Sequence, residues 1–330
     1  EDNKFGKRGF AQMIYYTNIG TIAPNNNYLV FTSDGTMVGQ LSSSFVSSLR
    51  NGDVFLLGGS TYRVSSIRGT RVNVSPATGY RPTIPSWTGE ANSRTHELSQ
   101  EVLELLEEVA TYARLEKDPM TIFTDILGLN RPVAHAVSGF FQEHVATTFQ
   151  VPSNDLILVE QVEAPLPTYI VTTCRGRAFN LALGHLFAGI ATNDNIIVHE
   201  LSFDENGFMI KLSHEVEISL IPEIFKQGNS KDVLQKHMME SQLFAKRFRE
   251  ISSRSMLNPR RIGAEEVSPK QFQQRAEQIM QKHRQMDDSV LIRETMNEIL
   301  HADLDMAQLE IFINRMDSED VRIVHRRVKM

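Results

Sequence analysis

Two stretches carry residue types suited to holding phosphate. In Arg175-Gly176-Arg177 with Asn180, the glycine would let the backbone approach a phosphate while arginine and asparagine supply donors. The same residues equally describe a strand-to-helix turn capped by Asn180. From Lys246 to Arg284, ten Lys or Arg (Lys246, Arg247, Arg249, Arg254, Arg260, Arg261, Lys270, Arg275, Lys282, Arg284) stand against four acids (Glu250, Glu265, Glu266, Glu277). That window carries +6 in a chain of net charge −6, so the remainder carries −12. Such a block attracts phosphates through counterion release, and a solvated helical face accounts for it equally well. Trp87, the only tryptophan, sits on a connector broken by Gly79, Pro82, Pro85 and Gly89. It either staples the connector to a core or stacks on an unpaired base, an interaction worth roughly 1–3 kcal/mol. The residues by themselves favour the staple.

Other chemistries lack their residues. A phosphate-wrapping loop needs an upstream glycine and then Gly-Lys-Ser/Thr, whereas Gly6-Lys7 lacks that glycine and is followed by Arg8. The ten histidines form no metal-ligand spacing, and Glu143-His144 reads as a helix surface pair. The lone Cys174 excludes an internal disulfide and a multi-cysteine metal site, fits a reducing compartment, and reads as a buried, inert thiol. No stretch approaches the roughly 20 apolar residues of a membrane span, and the first residues do not resemble a signal peptide, so a cytoplasmic protein with no membrane partner is expected. The opening without Met suggests a piece of a longer chain.

These residues need positioning elements. Hydrophobic residues make up 41% and charged residues 22% of 330, an ordinary globular composition expected to form two or three compact units. Short apolar runs between tight turns from 28 to 74, including a hairpin turning at Ser33-Asp34-Gly35-Thr36, predict a small antiparallel β-barrel, closed or half-closed. Leu98, Val102, Leu105, Val109 and Tyr112 predict one apolar stripe on a helix whose Glu97, Glu101, Glu104, Glu107 and Glu108 face solvent. Strand-like runs at 156–163 and 169–173, a helix over 175–192 and a hairpin turning at 204–207 predict a mixed α/β unit. Helices follow, with Arg247 and Arg254 on one face and Pro259 ending that helix, and the alternating run 321–328 predicts a terminal strand. The expected fold class is α+β: a barrel with its Pro/Gly-rich connector over 1–95, a helical segment over 96–150, the α+β unit over 151–218, and a mainly helical segment with a terminal strand over 219–330.

Ordered blocks of residues then bear a family likeness. Tyr15-Tyr16-Thr17-Asn18-Ile19-Gly20-Thr21-Ile22, Gly35-Thr36-Met37-Val38-Gly39, Phe45-Val46, Gly52 to Gly59, Tyr62-Arg63-Val64 and Pro85-Ser86-Trp87-Thr88-Gly89-Glu90 resemble the region after the winged helix in the large helicase-related (Lhr) family of superfamily 2 DEAD/DEAH-box helicases. Gly176-Arg177 with Asn180, Asn206-Gly207-Phe208, Glu240 to Arg249 and Asn258-Pro259-Arg260-Arg261 resemble later blocks of the same C-terminal region. Tyr62 departs from the family, where Trp is common, but keeps an aromatic.

The resemblance implies an ATP-dependent 3′-to-5′ translocase that unwinds duplexes, including RNA:DNA hybrids, and is linked to DNA repair. Its motor would be two RecA-like domains followed by a winged helix, all expected outside this chain. No cofactor is then expected here, ATP and Mg belonging to the full-length protein, and whether this chain is itself an enzyme stays open. The implied role is an accessory domain contacting the tracking single strand through Trp87, Arg177, Asn180, Lys246, Arg247, Arg249, Arg254, Arg260 and Arg261. Its implied partners are single-stranded DNA or an RNA:DNA hybrid and the RecA-like and winged-helix domains of the same polypeptide. The alternative is a protein-interaction scaffold that docks on the motor or on a repair partner. A self-contained glycosylase or nuclease would need clustered carboxylates or metal ligands that the sequence does not display.

Overall fold

The computed structural model describes Gly6 and residues 9–18, 28–42, 45–46, 49–79, 93–115, 117–148, 150–216, 230–262, 265–267 and 269–328. In chain order the elements are α1 (Ala11–Asn18), β1 (Tyr28–Thr32), β2 (Met37–Leu41), β3 (Val54–Leu57), β4 (Ser60–Arg68), β5 (Arg71–Pro76), α2 (His96–Arg114), a π-type turn (Ile122–Ile126), α3 (Arg131–Thr148), β6 (Leu156–Val162) and β7 (Thr168–Thr172). There follow α4 (Arg177–Asn193), β8 (Val198–Phe203), β9 (Gly207–Leu212), α5 (Ser230–Met239), α6 (Gln242–Arg254) and the paired dipeptides β10 (Arg261–Ile262) and β11 (Glu265–Glu266). The last elements are α7 (Pro269–Arg284), α8 (Val290–Glu298), a second π-type turn (Ile299–Asp303), α9 (Met306–Asp317) and β12 (Arg322–Val328). Two compact units result, one of Glu1–Ala91 with Gln242–Thr295 and the other of Asn92–Ser241 with Met296–Met330.

In the first unit the strands lie in the order β2-β1-β5-β4-β3. Pairing is antiparallel except between β1 and β5, where Val30 faces Val72 in a parallel register. Of the expected forms the half-closed one is found, and the all-antiparallel pairing is corrected to a mixed one. Parity is the reason: strands alternating up and down place the first and the fifth in the same direction, so their pairing must be parallel. β2 and β3 remain sheet edges that meet through packing, since a Cβ on Gly39 would sit 3.1 Å from Leu57 Cδ2. Val30, Leu41, Phe55, Val64, Val72 and Val74 fill the interior, with Phe45 and Val46 of the β2–β3 connection buried in the same core. Helix α6 presents Phe244, Phe248 and Ile251 inward and packs against α7.

The second unit is built on the sheet β12-β6-β7-β9-β8. β12 runs parallel to β6, Arg322 opposite Leu156 through Val328 opposite Val162, and the other pairs are antiparallel. Helix α4 is buried nearly all round because it packs against β8, β9, α5 and α9 at once. The acidic residues of α2 are all exposed as expected. Its buried face differs from the expected stripe, however, for Leu98 is exposed while Ser99, Leu103, Val109 and Ala110 are buried. The helix packs on two sides, with Val109 in a cluster around Phe123 and Ala110 in another around Val145 and Val151.

Candidate nucleic-acid interface

In the first unit the cationic residues hang on the amphipathic helix α6. Its inward face is fixed by Phe244 stacked on Phe248 with centroids 6.4 Å apart, and by the His283 ring of α7 at 6.3 Å from Phe248. With 3.6 residues per turn, Arg247 and Arg254 fall on one flank of that face, Arg249 lies beyond the other flank, and Lys246 falls nearly opposite the face. Arg254 is exposed and Lys246 is half-buried. Arg247 forms an ion pair with Glu250 at 2.9 Å, with side-chain exposures of only 15% and 22%. Arg249 is also half-buried, and loss of hydration holds its guanidinium below the usual range, partly offset by Glu250.

Beyond α6 the chain turns through Asn258, which is fully buried and donates from Nδ2 to the Phe272 carbonyl at 3.0 Å. The Arg260 guanidinium lies over the Phe272 ring, 5.2 Å from its centroid, so this cation is held by a π face. Arg261 is exposed, as is Ile262 beside it.

The 260–261 segment is tied to α1 by Asn18. Its Oδ1 accepts from the backbone N–H groups of Arg260 at 2.8 Å and Arg261 at 2.9 Å, and its Nδ2 donates to the Arg261 carbonyl at 3.1 Å. Helix α1 buries none of its residues. Phe10 before it is 74% exposed, and Tyr15 and Tyr16 are 47% and 66% exposed with their rings edge to face at 5.7 Å. Tyr15, Tyr16 and Asn18 lie in a family-like block of the sequence to which no site role attaches. An aromatic pair in a helix with no apolar stripe is the signal that could have marked them. Trp87 lies outside the described residues.

In the second unit, Arg177 and Asn180 have tasks inside the fold. Asn180 is fully buried, with Oδ1 accepting from the Thr173 hydroxyl at 2.5 Å and Nδ2 donating to the Asp204 carbonyl at 3.0 Å. It is not the cap of α4: that position is Gly176, at φ 92°, where a Cβ would fall 2.8 Å from the Arg94 carbonyl oxygen. The Glu205 carboxylate occupies the start of α4, accepting from Arg177 N–H at 2.9 Å and from Arg94 N–H at 3.1 Å. A phosphate at the same place would compete with a carboxylate already seated there. The Arg177 guanidinium donates to the Phe203 carbonyl at 2.7 Å. Cys174 is buried, and burial pushes its thiol up to about 11, which leaves it protonated and inert.

Among the described residues no group of three or more His, Cys, Asp or Glu could hold a metal ion. The sequence carries no phosphate-wrapping Gly-Lys-Ser/Thr loop. No helix among them is long and apolar enough to cross a membrane.

A family model described as DEAD/H associated matches residues 151–330. A second, described as the winged helix domain of the large helicase-related protein, matches residues 2–84. That corrects the expectation that the winged helix lies wholly outside the chain: the matched span takes in α1 and the strands that hydrophobic pattern alone marked as a barrel. The ATP-dependent helicase Lhr-Core protein 2 of Thermococcus barophilus is 29% identical across 98% of this chain and 38% of its own length. The ATP-dependent helicase Lhr-Core of Saccharolobus solfataricus is 27% identical across 97% and 38%. A solved structure of Mycobacterium smegmatis helicase Lhr bound to ssDNA and AMP-PNP superposes with a TM-score of 0.70 at 18% identity, covering 98% of this chain and 38% of that one. That likeness is one of fold. The chain thus spans under half the length of these relatives.

Proposed function

Because the chain belongs to the DEAD/H-associated family of large helicase-related proteins, we propose that it is the non-motor, strand-handling part of an ATP-dependent 3′-to-5′ DNA helicase. It contacts the tracking single strand and hydrolyses no ATP itself. The RecA-like domains that drive it would belong to the same polypeptide, and the strand would be single-stranded DNA or one strand of an RNA:DNA hybrid.

The observation that carries this reading is the pairing of exposed aromatics with exposed cations in the first unit. Tyr15 and Tyr16 offer faces on which bases stack whatever their sequence. Arg261, fastened to the same helix through Asn18, supplies charge for the backbone, and Arg254 and Lys246 extend that charge along α6. Arg249 and Arg260 add to the positive field from half-buried positions, and Arg247 is largely neutralised by Glu250. Trp87 would stack on a further base. Arg177 and Asn180 act in this reading by shaping the β7–α4 loop, because both are engaged within the fold.

Fluorescence anisotropy of a labelled oligothymidine tests it. Binding should be weak, salt-sensitive and reduced about fivefold or more by Tyr16→Ala, as expected for removal of one stacked base. Wild-type affinity at low salt in Tyr16→Ala, Trp87→Ala and Arg254→Glu alike would remove the strand-binding assignment.

The scaffold reading is favoured by the exposed acidic row of α2, which repels phosphates, and by the exposed Ile126 and Phe140 in the same unit. It expects the chain to bind a separately expressed motor fragment and no DNA.

A further inference from the structure

Besides holding Glu205, the loop between β7 and α4 carries Arg175, whose side chain lines a cleft of about 430 Å³ in the second unit. Arg175 is only 7% exposed. Its Nη2 donates to the Asn154 carbonyl at 2.7 Å, its guanidinium lies 5.6 Å from the Phe179 ring centroid and 5.3 Å from that of Phe312, and its Nε has no hydrogen-bond partner. Burial pushes this guanidinium down to about 10, the mark of a cation short of hydration. Arg315 converges on the same Asn154 carbonyl at 2.9 Å and pairs with Asp155 at 2.5 Å. Two arginines against one aspartate leave the cleft with one uncompensated positive charge. The rest of its wall differs in kind: Gln100 and Gln308 each offer a donor and an acceptor, and Ile311 offers a half-exposed apolar face.

We propose that this cleft binds a mononucleotide unit, with its phosphate on the Arg175 and Arg315 side and its base against Ile311 between the carboxamides of Gln100 and Gln308. The volume falls within the roughly 300–1,000 Å³ of small-molecule sites. Arginine forks suit phosphate oxygens, and carboxamides suit the mixed donor and acceptor edge of a base. The unit is either a free nucleotide or the phosphorylated end of a strand. The site goes beyond the strand binding proposed above, since every residue in it belongs to the second unit.

Calorimetric titration of the whole chain with thymidine 5′-monophosphate, thymidine and inorganic phosphate tests the proposal. Saturable binding of the nucleotide, about tenfold tighter than either component, is the expected result, since each charge-assisted hydrogen bond contributes at about that level. Arg315→Gln and Gln308→Ala should each weaken it about tenfold while melting as the parent does, and Arg175→Lys should weaken it although charge is kept. Displacement of the nucleotide by an oligothymidine with a 5′-phosphate, but not by the unphosphorylated oligomer, assigns the site to a strand end; failure of both to displace assigns it to a free nucleotide. No saturable binding at millimolar nucleotide, inorganic phosphate binding as tightly as the nucleotide, or variants that bind like the parent would each overturn the proposal. Strand binding scored on Tyr16 and Arg254 variants is read separately, so either idea can fail alone.

Discussion

Asn18 clasps the Arg261 peptide group by group: its Oδ1 takes the Arg261 N–H at 2.9 Å and its Nδ2 gives to the Arg261 carbonyl at 3.1 Å. A helix that buries none of its own residues is thereby tied to a segment 243 residues away in sequence. Asn18→Ala removes these bonds and the one to Arg260, at about 0.5–1.5 kcal/mol each. The expected outcome is a small drop in melting temperature and a larger loss of single-strand affinity, because Tyr16 and Arg261 no longer share a frame. Asn18→Asp keeps the acceptor and loses the donor, and should fall between parent and Ala in an anisotropy titration.

Charge reversal should separate the arginines of the basic window. Arg261→Glu is expected to lower the slope of log affinity against log salt by about 0.7 for each phosphate it no longer neutralises, with the melting temperature unchanged. Arg247→Glu faces Glu250 at a largely buried position and should lower the melting temperature, with little change in that slope. Equal slopes for parent and Arg261→Glu would show that Arg261 meets no phosphate.

The second unit should lose stability in mild acid. Burial, with His237 beside it, pushes the His185 imidazole down to about 3 from 6.5. As pH falls below about 6.5 the unfolded chain takes up a proton that the folded chain refuses, so stability is full above that value and declines towards pH 3. The decline approaches about 1.4 kcal/mol per pH unit. His237 is depressed by burial as well and adds in the same direction. Thermal melts from pH 7.5 to 5 should show the fall, and His185→Leu should flatten it. At neutral pH that variant should cost little, because His185 Nδ1 has no hydrogen-bond partner.

Glu205→Ala should melt well below the parent, because it strips the acceptor from both Arg94 and Arg177 N–H at the start of α4. A loss of about 1–3 kcal/mol is expected for buried donors left unmet. Gly176→Ala should be at least as damaging, since an L side chain at φ 92° would also press on the Arg94 carbonyl. Calorimetric melting of both variants checks the pair.

What the sequence revealed was local. The Asp34-Gly35 turn and its flanking strands, the acidic face of α2, and the alternation that becomes β12 are patterns written within a few residues. The parallel seam of β1 with β5 joins strands about forty residues apart, and nothing in either strand names its partner. The bonds of Arg177 and Asn180 within the fold were illegible for another reason: arginine and asparagine have the same donors whether they meet a phosphate or a backbone carbonyl, so the residue types alone do not name Phe203, Thr173 and Asp204 as their partners. Tyr15 and Tyr16 passed without a role because their exposure is a tertiary property. The basic window at 246–284 is visible in the charges themselves, but charge alone does not reveal that Arg247 pairs with Glu250.

The position of β12 has a consequence for how the molecule comes into being. The sheet it completes begins in the segment from Asn92 to Ser241, and the chain contributes Gln242–Thr295 to the other unit before it returns. During synthesis from the N-terminus, β6 therefore waits with an open edge while about 160 further residues emerge. A protease cut anywhere between Gln242 and Thr295 would leave pieces of both units on each side of the nick, so neither unit could be released by a single cleavage.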